Sequence, residues 1–92
     1  MNDIRAHMIV QGRVQNVGFR YFAANCAERL KLTGWVRNNY DGSVETEVEG
    51  DRSAVEQFIS DIKIGPRWSN ISGVKVEYKP YDGIYTNFVI TR

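Results

Sequence analysis

From Ser43 to Gly50 the chain alternates without a break: Val44, Thr46 and Val48 take one side, Glu45, Glu47 and Glu49 the other. A period of two is that of an extended strand, whose successive side chains point to opposite faces. One face is largely apolar and the other carboxylate, so the strand belongs to a sheet with one buried face and one solvated face. On this reading the glutamates are the wet face of an antiparallel sheet rather than an acidic site. Just before the strand, Tyr40-Asp41-Gly42 reads as a hairpin turn, because Asp-Gly tolerates positive φ. Trp35 to Asn39 is the partner strand.

The buried face needs a cover, and two helical stripes supply it. Phe19, Phe22, Ala23, Cys26, Ala27 and Leu30 recur at three- and four-residue spacing, which predicts a helix from Phe19 to Leu32 stopped by Gly34. Val55, Phe58, Ile59 and Ile62 predict a second from Ala54 to Lys63. Ser53 and Glu56 form a capping box before it, and Gly65-Pro66 ends it. Ile4 to Gln11, Ile71 to Lys79 and Asn87 to Thr91 complete the strands. The order is β-α-β-β-α-β with an extra C-terminal strand. It predicts a ferredoxin-like α+β sandwich, an antiparallel sheet with two helices on one face. That fold hosts many functions, so the chemistry must come from particular residues.

Composition removes several chemistries. Ninety-two residues permit one core, so residues 1–92 are read as a single domain. Cys26 and His7 are the sole cysteine and histidine. Together they exclude an internal disulfide, a Cys-rich zinc site and most triads. Cys26 lies on the apolar helix face and is read as a core residue, His7 as a strand surface residue. Twelve basic residues against eleven acidic ones leave a net charge of +1, too little for bulk capture of nucleic acid or an acidic membrane. The absence of a long apolar run or a signal-peptide pattern predicts a soluble, cytoplasmic chain, with a monomer as the simplest state. The charge is uneven: Arg13 to Arg37 carries a local +4 and Asp41 to Asp61 a local −6. The basic half suits a small anion, although charged element surfaces alone explain the same pattern.

The loop Gly12-Arg13-Val14-Gln15-Asn16-Val17-Gly18-Phe19-Arg20 joins a strand to a helix N-terminus. First-turn N–H groups lack intrahelical partners and face the positive end of the helix dipole, so such a place accepts phosphate. Arg20 can add a bidentate grip. From the loop alone, an anion site and a plain connection bearing a solvated arginine stand level. Sharper phosphate motifs fail: five residues separate Gly12 from Gly18 with no lysine following, and Val14, not cysteine, stands six before Arg20.

Two longer patterns decide between these readings. Gly12, Val14, Gln15, Val17, Phe19 and Arg20 fit Gly-x-Val-Gln-Gly-Val-x-Phe-Arg, with Asn16 at the inner glycine. Gly34-Trp35-Val36-Arg37-Asn38, then Gly42-Ser43-Val44, then Gly50 fit a second pattern throughout. In both the sequence resembles the acylphosphatase family, and the likeness runs over essentially the whole chain. The resemblance implies hydrolysis of small acyl phosphates to carboxylate and inorganic phosphate, by attack of a positioned water, with no metal or cofactor. It implies that Arg20 and the N–H groups of Gln15, Asn16, Val17, Gly18, Phe19 and Arg20 hold the phosphoryl group. It further implies that Asn38 orients the water. Without the resemblance, Asn38 reads as an asparagine flanking a turn.

Asn16 is expected to keep the left-handed conformation of the glycine it replaces, to set a side chain near the pocket and to lower turnover. An alternative follows, a catalytically weak phosphate- or anion-binding domain of the same fold. RNA recognition shares the element order, but the glutamate face repels RNA where that fold needs aromatics. The expected partner is therefore a small molecule, with neither nucleic acid nor membrane. Asn70-Ile71-Ser72 reads as an accidental glycosylation sequon, and Tyr78, Tyr81 and Tyr85 as packing residues that cover an edge strand.

Overall fold

The computed structural model describes residues 2–92. Its elements are β1 (Asp3–Arg13), α1 (Phe19–Arg29), β2 (Thr33–Asn38), β3 (Val44–Asp51), α2 (Arg52–Ile64), β4 (Asn70–Pro80) and β5 (Phe88–Ile90). The sheet order is β4-β1-β3-β2-β5. The first four strands pair antiparallel with one another, and β5 joins β2 in parallel, so the sheet is mixed at that edge. This is the ferredoxin-like α+β arrangement, with an open sheet and both helices on one face. Gly12 marks a register shift where β1 passes β4: a Cβ there would meet the Asn70 carbonyl at 2.2 Å.

Ala6, Met8 and Val10 of β1, Val36 of β2 and Val44, Thr46 and Val48 of β3 are sealed beneath the helices. Ala23, Cys26 and Ala27 of α1 and Val55, Phe58 and Ile62 of α2 face them. Both stripes thus bury the face their spacing predicts. Burial raises the Cys26 thiol above its ordinary value, and Asp61 adds to the effect. That keeps the thiol protonated, as befits a core residue.

Several boundaries differ from the sequence reading. α1 ends at Arg29, and Lys31, with φ 60°, takes the left-handed position that stops it. Gly34 instead lies inside β2. The N-cap of α2 is Asp51, which accepts from the N–H groups of Ser53 and Ala54; Ser53 and Glu56 form no capping box. A carboxylate is the stronger acceptor and also carries charge at the positive end of the dipole. In the hairpin turn only Gly42 takes positive φ, at 93°.

The larger correction concerns the glutamates, which are not a wet face. Glu47 is 6% and Glu49 1% exposed. Chain 81–87 folds back across them. Tyr85 donates its hydroxyl to Glu47 at 2.6 Å and accepts from Trp35 Nε1 at 3.0 Å. Asp82 and Gly83 N–H groups donate to Glu49 Oε2 at 2.7 and 3.2 Å. Glu45 is bridged by His7 at 2.6 Å and Arg37 at 2.9 Å, so His7 is a partly buried partner rather than a free surface residue. Burial pushes the Glu45 carboxyl up, but hydrogen bonds from His7 and Arg37 outweigh it and hold the group below its ordinary value. Carboxylates leave water only where such partners replace it. Of the tyrosines only Tyr85 covers this face; Tyr78 and Tyr81 stay about half exposed.

Candidate active site

The loop between β1 and α1 is anchored at both ends. Val14 is fully buried and Phe19 is 2% exposed, so the stretch between them is held at the surface by two core side chains. Asn16 has φ 63° and Gly18 φ 77°, both left-handed. Asparagine is among the few non-glycine residues that accept this conformation at small cost, and here it does so. Gly18 is the N-cap of α1 and offers no side chain; no acidic residue follows in the first turn. The first backbone bond of the helix is from Phe22 N–H to Gly18 C=O at 2.9 Å. Earlier N–H groups of the turn have no intrahelical acceptor and collect the positive end of the dipole.

Arg20 stands in that first turn, half-buried. Arg5, Arg29, Arg37 and Arg52 each face a carboxylate. Among the described residues Arg20 forms no such pair. It lines a cleft of about 740 Å³ together with Gln15 and Asn38. Asn38 ends β2 and pairs in register with Val44 of β3. It lies two residues beyond Val36 and so on the helix-covered face, as the sequence reading expected. The structure therefore brings Arg20, Gln15 and Asn38 to one cleft from three different elements. Val17, Gly18 and Phe19 shape the loop without walling the cleft, and Phe19 packs in the core. Asn16 is exposed and is not among the residues that wall the cleft.

Sequence reasoning missed the rest of the wall. Arg37, Asn39, Tyr40, Thr91 and Arg92 complete it. Thr91 arrives because its N–H donates to Val36 C=O at 2.9 Å, continuing the parallel pairing of β5. Pairing between strands so far apart in sequence leaves no local signal. Arg37 lies over the Trp35 ring at 5.1 Å and is tied to Glu45. Tyr40 is fully exposed at the hairpin tip.

The acylphosphatase family profile matches residues 6–90. The chain belongs to the acylphosphatase family. It is 49% identical over 79 residues to the acylphosphatase of Moorella thermoacetica, covering 86% of this chain and 85% of that one. To the acylphosphatase of Syntrophotalea carbinolica it is 42% identical over 90 residues, 98% of each chain. The crystal structure of the Bacillus subtilis acylphosphatase superposes with a TM-score of 0.93 at 37% identity, covering 97% of this chain and 99% of that chain. The chain is thus a hydrolase of the acylphosphatase family, and these likenesses do not favour a merely anion-binding domain. No helix among the described residues is long and apolar enough to cross a membrane.

For an acylphosphatase the chemistry of such a cleft is economical. An acyl phosphate already has a stable leaving carboxylate, so charge stabilisation and positioning can supply most of the rate. The cleft offers the Arg20 guanidinium and the neutral amide of Asn38, beside the uncapped start of α1. It needs no group poised to donate a proton to the leaving oxygen.

Proposed function

We propose that this chain hydrolyses the carboxyl–phosphate bond of small acyl phosphates. The phosphoryl oxygens sit on the N–H groups of Gln15 to Arg20 and on the Arg20 guanidinium. The Asn38 amide holds a water on the side opposite the acyl group. The water oxygen forms a bond to phosphorus while the bond from phosphorus to the acyl oxygen breaks. Carboxylate and inorganic phosphate leave, and the proton passes to the phosphate or to solvent. Arg20 and the N–H donors oppose the negative charge that spreads over the phosphoryl oxygens in the transition state.

One observation carries this reading: Arg20, in the first turn of a helix whose N-cap has no side chain and with no carboxylate partner among the described residues, lines one cleft with Asn38. The test is benzoyl phosphate hydrolysis followed by absorbance in EDTA, with Arg20→Ala beside the parent chain. The expected result is rapid turnover by the parent and a loss on the order of a thousandfold in the variant. Unchanged turnover in Arg20→Ala would refute the proposal.

A further inference from the structure

We infer that Gln15 is a positioning residue for the hydrolytic step, its side-chain amide fixing the hairpin that carries Asn38 against the phosphate loop. The inference rests on the hydrolytic reading above and names the side chain that joins the two halves of that site.

Gln15 donates from Nε2 to two carbonyl oxygens, Asn39 at 2.7 Å and Ser43 at 2.9 Å. These carbonyls lie on opposite arms of the hairpin. One follows Asn38, the last residue of β2, and the other precedes Val44, the first of β3. A primary amide nitrogen has two hydrogens, and both are spent here.

The turn is already closed without this help. Asn39 N–H donates to Ser43 C=O at 2.9 Å, and Gly42 N–H to Asn39 C=O at 3.2 Å. The Asp41 carboxylate accepts from the Ser43 N–H at 2.9 Å and from its hydroxyl at 2.6 Å. What Gln15 adds is the placement of a finished hairpin relative to the loop, across sequence separations of 24 and 28 residues. Among the described residues no other side chain hydrogen-bonds residues 14–20 to residues 38–44. The loop holds phosphorus and Asn38 holds the water, so this link sets the distance and angle of attack. A misplacement of about 1 Å there costs about a hundredfold in rate.

Gln15→Leu removes both donors and keeps most of the volume. Its kcat on benzoyl phosphate is expected to fall about ten- to a hundredfold, while the inhibition constant of inorganic phosphate stays unchanged. In an Asn38→Ala background the same change is expected to cost no further turnover, because no amide remains to be positioned. Unchanged kcat, a loss of phosphate affinity that matches the loss of turnover, or additive losses in the double variant would each overturn the inference. Gln15→Met, an unbranched replacement, carries the same readouts if the leucine variant does not fold. Full turnover in Asn38→Ala alone brings down the role of Asn38 and this inference with it. Additive losses overturn the positioning role alone, so the two failures are distinguishable.

Discussion

At the start of α2 the Asp51 carboxylate accepts from the N–H groups of Ser53 and Ala54, at 3.1 and 3.3 Å, and from the Ser53 hydroxyl. At the start of α1 the equivalent position is Gly18, which has no side chain to offer. Both helices lie on the same face of one sheet and follow a strand, yet one first turn is closed by the protein and the other is left open. An N-cap carboxylate and a bound anion answer the same need, acceptors for orphan donors at the positive end of the dipole. On the proposed reading, the open turn of α1 is where the chain forgoes a stabilising cap to keep room for an anion. Arg20 beside the open turn, with no carboxylate of its own, points the same way.

The sharpest way to break this contrast is to close α1 as α2 is closed. Gly18→Asp puts a carboxylate at the open turn, where it competes with the substrate for the same N–H groups and repels it. Activity on benzoyl phosphate is expected to fall on the order of a hundredfold or more, and phosphate inhibition to be lost. Gly18→Asn, similar in shape but neutral, should keep more of both. Equal losses in the two variants would show that backbone strain at φ 77°, not charge, is responsible.

Opening α2 is the converse. Asp51→Ala is expected to lower the melting temperature and leave kcat/KM unchanged, since the α2 start holds no substrate. The loss should depend on pH. The Ser53 hydroxyl, with the Ala54 and Ser53 N–H groups, holds the Asp51 carboxyl below its ordinary value. A carboxyl depressed in the folded chain stabilises it above the ordinary carboxylate pKa, and that contribution disappears as pH falls through the depressed value. Melting curves of parent and variant should therefore converge in acid, and a gap that stays constant with pH would contradict this account.

The smallest effect is expected at Asn16. Asn16→Gly restores the residue of the family pattern, but the backbone already has the conformation that glycine would take, and the side chain lies outside the cleft wall. Stability and the activation free energy should each move by about 0.5 kcal/mol or less, read from denaturant melts and kcat/KM. A large gain in turnover would restore the view that asparagine damages this site.

Much of this was legible in the sequence. The helical stripes through Ala23 and Phe58 and the alternation along β3 report which residues share a face, and those faces turned out as expected. Arg20 and Asn38 stand out because two local patterns resembling the family's hold them at fixed spacing, and the fold brings both to one cleft. Alternation does not say what covers a face: Glu47 and Glu49 sit in the pattern of a solvated face, yet chain 81–87 closes over them. The Asp51 cap was missed because Ser53 and Glu56 carry the commoner cap spacing. The Gln15 side chain, like Thr91, acts through partners distant in sequence, and no local pattern encodes such a contact.

The central claim is that α1, and not α2, presents its first turn to a phosphoryl group. Titration of the nitrogen-15-labelled chain with inorganic phosphate, followed by amide chemical shifts, tests it directly. Saturable shifts of the backbone amides of Gln15 to Arg20 and of the Asn38 side-chain amide, with the amides of Ser53 and Ala54 unmoved, are the predicted result. Shifts confined to α2 or spread evenly over the surface, or no saturable shift in the loop, would contradict it.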